Sequence, residues 1–135
     1  MSKIYRSQLE LVGETPLVEV QRVAARHALR ARLLVKLESY NPAGSVKDRT
    51  ALAMITAAER DGLLRPGSTL VEATSGNTGV GLAFVAAIKG YKAIIVMPET
   101  MSIERRRLAA GRGKLPSLCS SFLYGIYAAT ASMTP

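Results

Sequence analysis

The sequence predicts an α/β fold, a three-layer αβα arrangement around a parallel sheet, and two observations predict it. From Leu33 onward, apolar runs and helical stripes alternate as β, α, β, α, β, α. That order is built into a parallel sheet by right-handed crossovers. Within it, Lys92 to Met97 (KAIIVM) is a continuous apolar run, as expected of a strand covered on both faces. At 135 residues and 48% hydrophobic, the chain is long enough for one domain with a real core and too short for two ordinary ones.

Each element has its own signal. Residues through Leu11 read as polar and irregular. Gly13-Glu14-Thr15-Pro16 is a turn, and Leu17 to Val20 a short strand after it. Ala24 to Ala31 fits either a helical turn or a loop. Arg32 to Glu38 is a second strand with Leu33, Val35 and Leu37 on one face. Asn41-Pro42-Ala43-Gly44 breaks the chain. Ser45 then opens a helix, with Asp48 at the spacing of a capping box. The helix runs to about Asp61, with Ala51, Met54, Ile55 and Ala58 along its apolar stripe, and Gly62 ends it.

Thr69 to Thr74 is a strand. Ser75 to Gly79 leads into a second helix that ends at Gly90 and is crowded with small residues, which let a helix lie close to its neighbours. Pro98 stops the next strand. Ser102 begins a third helix with Glu104 in its favourable first turn.

Charge excludes more than it assigns. The formal net charge is +8, but no acid follows Glu104, and Arg105, Arg106, Arg107, Arg112 and Lys114 supply five of those charges. Nucleic-acid binding would need a basic face interleaved with aromatics or a known motif, and neither is present. The single cysteine, Cys119, permits no internal disulfide, and the start has no apolar run typical of a secretion signal. Both favour the cytoplasm. Residues 115–135 lack charge, but Pro116 and scattered Ser and Thr argue against a membrane span. His27, the sole histidine, reads as a surface residue, and no metal site is expected.

Two segments carry chemistry, each at the join between an extended element and a helix, where ligands of open α/β sheets bind. The first, Asn41-Pro42-Ala43-Gly44-Ser45-Val46-Lys47-Asp48-Arg49, sets a lysine in the first turn of a helix. The positive end of the helix dipole and the nearby Arg49 favour a neutral amine, the form that attacks an aldehyde. A plain surface lysine at a helix start fits the same residues. A phosphate-binding P-loop does not, because its lysine is followed by Ser or Thr and here Asp48 follows. The second, Thr74-Ser75-Gly76-Asn77-Thr78-Gly79, offers hydroxyls, a carboxamide and backbone N–H groups at a helix N-terminus, a cradle for an anion. An ordinary helix cap with turn glycines is the alternative.

Taken together, PAGSVKDR and EATSGNTG resemble the fold-type II pyridoxal-phosphate enzymes, whose fold is that of the tryptophan synthase β-like proteins. The closest likeness is to cysteine synthase (O-acetylserine sulfhydrylase) and its relative cystathionine β-synthase. GETPLV, LVKLESYNPAGSVKDR, LVEATSGNTGVGLAFVAAIKGY and VMPETMSIERR extend the likeness over about residues 11–108. The resemblance implies pyridoxal 5′-phosphate as cofactor. It implies that Lys47 forms the Schiff base and later moves the substrate's α-proton, and that Asn77 hydrogen-bonds the cofactor's ring hydroxyl. Thr74, Ser75, Asn77 and Thr78 would grip the carboxylate of an amino-acid substrate. The implied reaction is β-replacement, in which O-acetylserine loses acetate and takes up sulfide to give cysteine. Cystathionine β-synthase or a dehydratase of the same fold is the alternative. Full-length members are expected to be homodimers, with no nucleic-acid or membrane partner.

The resemblance also divides the chain. Residues 1–40 are expected to hold strands of a larger, mostly missing domain, and residues 41–108 a small α/β domain with the lysine and the substrate loop. Residues 109–135 form an atypical tail in which acids vanish while Ser, Ala and Tyr accumulate. This break reads as a frameshift or gene-prediction artefact. No glycine-rich phosphate cup of the GTGGT kind occurs, and each charge-assisted hydrogen bond such a cup supplies is worth about 1.5–3 kcal/mol. Weak cofactor binding and little turnover are therefore expected of this chain alone. A non-catalytic truncated product is the competing reading.

Overall fold

Ser7 opens the first ordered turn. In this computed structural model, which describes residues 3–74, 76–98 and 126–131, Gln8–Leu11 form a 3-10 helix where the sequence suggested only an irregular start. The Ser7 hydroxyl accepts the Leu9 N–H, and the Glu10 carboxylate accepts the Ser7 N–H in return. This reciprocal cap satisfies donors that a short helix leaves free. Leu9 and Val12 then pack against the main core.

The strands fall into two sheets. β1 (Leu17–Glu19) pairs antiparallel with β2 (Leu34–Lys36), Val18 opposite Val35. The expectation that β2 joins the parallel sheet is therefore corrected. α1 (Gln21–Arg26) and the turn beyond it bring the chain straight back, so β1 and β2 meet as neighbours of opposite direction. β2 is also shorter than the apolar pattern suggested, because Glu38–Tyr40 form a second 3-10 turn. Leu17, Val18, Leu34 and Val35 are all exposed, as is His27.

The second sheet is parallel. β3 (Thr69–Ala73) pairs with β4 (Lys92–Pro98), Val71 opposite Ile94, and β4 pairs with β5 (Ile126–Ala131), Ile95 opposite Ala128. The sequence reading assigns no element to 126–131, where the residues that pair lie in the tail. The expected third helix from Ser102 lies outside the described residues. Ala93, Ile95 and Met97 of β4 are buried, while Ile94 and Val96 on the other face are half-buried. One face of this strand is thus fully covered.

Two helices build the core. α2 (Lys47–Arg60) and α3 (Asn77–Lys89) pack on each other through Ala51, Ile55, Leu82, Phe84 and Val85. At about 100° per residue, the buried stripe of α2 is centred on Asp48, Ala51, Leu52 and Ile55. Met54 lies well off that stripe and is 46% exposed, so it leaves the predicted core. Both helices end where the sequence suggested. Leu63 N–H closes α2 onto Ala58, and Tyr91 N–H closes α3 onto Ala86, the pairing of a Schellman end. At that end of the pair Glu59 accepts from Lys89 Nζ (2.6 Å) and from the Tyr91 hydroxyl (2.8 Å). Among the described residues, no helix is long and apolar enough to cross a membrane.

Candidate active site

Lys47 is the first residue of α2, two residues later than the start expected at Ser45. The capping-box reading is corrected with it. The Ser45 hydroxyl accepts the N–H of Lys47 (3.2 Å), and Asp48 turns back to accept the N–H of Ala43 (2.6 Å). Asp is one methylene shorter than Glu, so its carboxylate bonds within the Ala43–Ser45 loop in place of closing a box. The Lys47 side chain is half-buried, and its amine makes no hydrogen bond or ion pair among the described residues.

Asp48 is fully buried, with its second oxygen, Oδ1, left without a partner. Burial pushes its carboxyl above the usual carboxylate range, against the opposing pull of the backbone bonds from the 43–45 loop. A buried acid beside a lysine gave no signal in the sequence, where Asp48 read as a helix-start residue.

Arg49 faces away to a separate cluster. Its guanidinium donates two bonds to Glu38 (2.9 and 3.0 Å), one to the Gly13 carbonyl (2.9 Å) and one to the Thr15 hydroxyl (3.0 Å). Asn41, 3% exposed, accepts the Gly13 N–H (2.8 Å) and donates to the Glu38 carboxylate (2.8 Å) and carbonyl (2.9 Å). The Arg49 fork, helped by Asn41 and Thr15, holds the Glu38 carboxyl down to about 2. Arg49 was expected to act on the Lys47 amine, but its charge is engaged by Glu38. These partners lie as far as 36 residues apart in the chain, beyond the reach of any spacing argument. The one signal that could have found them is that GETP, LESYNP and KDR all sit inside the motifs of the family resemblance.

The second segment stands at the C-terminal end of β3. Thr74 donates its N–H to Val96, and its hydroxyl accepts the Gly76 N–H (3.3 Å). Asn77 is the first residue of α3 and is exposed; Thr78 follows half-buried. No described side chain caps the first turn of α3; the Gly79 N–H donates to the Gly76 carbonyl (3.1 Å), while the Asn77 and Thr78 N–H groups have no partner among the described residues. Ser75 lies outside the described residues. Small residues do the work expected of them here. A Cβ added at Gly79 would meet Thr74 Cγ2 at 2.8 Å and Ile95 Cγ2 at 3.0 Å. One added at Gly81 would meet the Lys47 carbonyl oxygen at 2.9 Å. The first turn of α2 and the second turn of α3 therefore touch through backbone.

The donor set matches part of what an aldehyde cofactor requires. Among the described residues the Lys47 amine is unpaired and could meet its carbonyl carbon, and the Asn77 carboxamide, the Thr74 and Thr78 hydroxyls and the Asn77 and Thr78 N–H groups stand at the start of α3 for anionic groups. The phosphate-binding glycine cup has no counterpart in the sequence.

Comparison with known proteins bears on the same residues. The family model described as pyridoxal-phosphate dependent enzyme matches residues 9–115. A cysteine synthase of Staphylococcus aureus (strain Mu50 / ATCC 700699) is 59% identical over 104 residues, covering 77% of this chain and 33% of that protein. A cystathionine beta-synthase of Oryctolagus cuniculus is 53% identical over 103 residues, covering 76% of this chain and 19% of that protein. The crystal structure of a hydrogen sulfide-producing enzyme from Fusobacterium nucleatum matches with a TM-score of 0.78 at 40% identity, covering 98% of this chain and 40% of that one. The chain thus spans about a third of the length of that cysteine synthase.

Proposed function

Since the chain belongs to the pyridoxal-phosphate dependent enzyme family, we propose that it carries the cofactor lysine and substrate loop of a β-replacement enzyme making L-cysteine from O-acetylserine and sulfide. The observation that carries this is Lys47, a half-buried residue whose amine has no partner among the described residues, at the head of a helix whose first turn abuts α3. Among the described residues no carboxylate holds this amine in an ion pair.

In this reading Lys47 holds the cofactor through its amine and, once released, takes the proton from the substrate's α-carbon. Asn77 donates to the cofactor's ring hydroxyl. Thr74, Ser75, Asn77 and Thr78, with the Asn77 and Thr78 N–H groups at the start of α3, bind the substrate carboxylate. The cofactor, when bound, supplies the electron sink that makes the α-proton acidic. The family model reaches residue 115, so the tail that began at 109 in the sequence reading is, in this reading, foreign to the family only beyond that residue. Without a phosphate cup, this chain alone binds the cofactor weakly and turns over little. The reading also carries a cytoplasmic location and homodimeric assembly of longer relatives.

The test adds pyridoxal phosphate to the chain and to Lys47→Ala. An absorbance band of lysine-linked cofactor, at longer wavelength than that of free pyridoxal phosphate, is expected in the first and not the second. Equal bands in both would remove Lys47 from its role, and rapid cysteine formation by the chain alone would overturn the claim of low activity. The match to a cystathionine beta-synthase favours a second reading, which formation of cystathionine in place of cysteine would support.

A further inference from the structure

Lys47 lies inside two nested closures of its own chain. The outer one joins Glu38 to Arg49 by a two-pronged ion pair, with Asn41 bonded to Glu38 from within. The inner one joins Ala43 to Asp48. Between them the Asn41 carbonyl accepts the Gly44 N–H (2.8 Å) and the Ser45 hydroxyl accepts the Lys47 N–H. Short closed loops have few conformations, so these bonds fix the main chain from which Lys47 projects. Asn41 and the Arg49 guanidinium also tie the outer closure to Gly13 and Thr15, which gives it a fixed support outside the loop.

The closure is separate from what holds α2 in the core. That hold comes from Ala51 and Ile55 against Leu82, Phe84 and Val85, and at the far end of the helix from Glu59 with Lys89 and Tyr91. The Arg49–Glu38 pair is partly exposed, with side chains 38% and 24% accessible, and neither residue belongs to the hydrophobic cluster that joins α2 to α3. Its geometry is more exacting than a surface pair requires. Arg49 alone reaches three different residues.

We infer that Arg49 and Glu38 are positioning residues for Lys47, aiming its amine by fixing the loop that carries it. The inference rests on the reading of Lys47 as the cofactor lysine. Neither residue touches the cofactor in this scheme. Misplacing a reactive group by an ångström costs on the order of a hundredfold in rate, so a loosened closure should show first as a loss of selectivity at Lys47.

The experiment incubates the full 135-residue chain with pyridoxal phosphate, reduces with borohydride and maps the modified lysines by peptide mass spectrometry. The readout is labelling of Lys47 relative to the exposed Lys92. Arg49→Met and Glu38→Gln are compared with Glu59→Gln, which cuts the clasp at the other end of α2. Circular dichroism and thermal melting show which variants are folded. In the unaltered chain Lys47 should be preferred. Arg49→Met should lower the preference on the order of tenfold or more, with Glu59→Gln leaving it in place even where its melting point falls further. If Arg49→Met does not fold, Thr15→Val, which removes one bond to each member of the pair, is read the same way. Equal preference in the Arg49 and Glu59 variants would overturn the positioning role and leave Lys47 as the cofactor residue. No preference in the unaltered chain would overturn the cofactor reading itself, and the positioning role with it.

Discussion

The carbonyl oxygen of Lys47 lies against Gly81, so close that a Cβ at residue 81 would stand 2.9 Å from it and 3.1 Å from the carbonyl carbon. Backbone atoms cannot rotate aside as a side chain can. Gly81→Ala must therefore part α2 from α3 at the start of α2. We expect a loss of about 1–3 kcal/mol, the cost of overpacking a tight contact, read by urea unfolding. Gly76→Ala, where a Cβ meets nothing within 4 Å, should cost less than about 1 kcal/mol as a change of N-cap residue. Equal losses would show that the contact is slack.

Glu38 predicts an acid limb of stability. Its carboxyl is lowered from 4.5 to about 2, chiefly by the hydrogen bonds from Arg49. A depressed folded value means that the pair stabilises above the unfolded value of 4.5 and that this is lost as the pH falls towards about 2. Glu38→Gln should be less stable than the unaltered chain at neutral pH, with the gap closing through that window. A gap that stays constant down to pH 2 would contradict the ion pair.

Asp48 predicts the opposite slope. Burial raises its carboxyl above 3.8, so the folded state holds the proton more tightly and stability is lost as the pH rises through the folded value. Asp48→Asn keeps a side-chain oxygen for the Ala43 N–H and cannot ionise. It should gain on the unaltered chain as the pH rises from 3.8, a crossing visible in chemical melts. A stability difference that does not grow with pH would mean that Asp48 is solvated in solution.

The α2 stripe can be tested in pairs. Ile55 is 1% exposed in the core with Val85 and Leu82. Ile55→Ala should cost about 2–5 kcal/mol. Met54→Ala, one residue away and 46% exposed, should change stability by less than about 1 kcal/mol. Similar losses would restore Met54 to the core, where the sequence pattern had put it.

The sequence by itself determined the alternation from β2 to β4, the long helices α2 and α3, their glycine ends and the two motif segments. Each of these is written in local signals: a period of 3.6 or 2, a breaker, or a run of small residues. It also marked Lys47 and the Thr74–Gly79 turn as the proposed site, because both stand in motifs that can be read one after another. Only the tertiary structure decided what surrounds them. It sent Arg49 to Glu38 and Gly13, buried Asp48 and set β2 against β1. It also turned Met54 out of the core and brought the Lys47 backbone onto Gly81. These depend on contacts between residues distant in the chain, whose partners are chosen by packing and charge once the helices meet, and no local pattern records that choice.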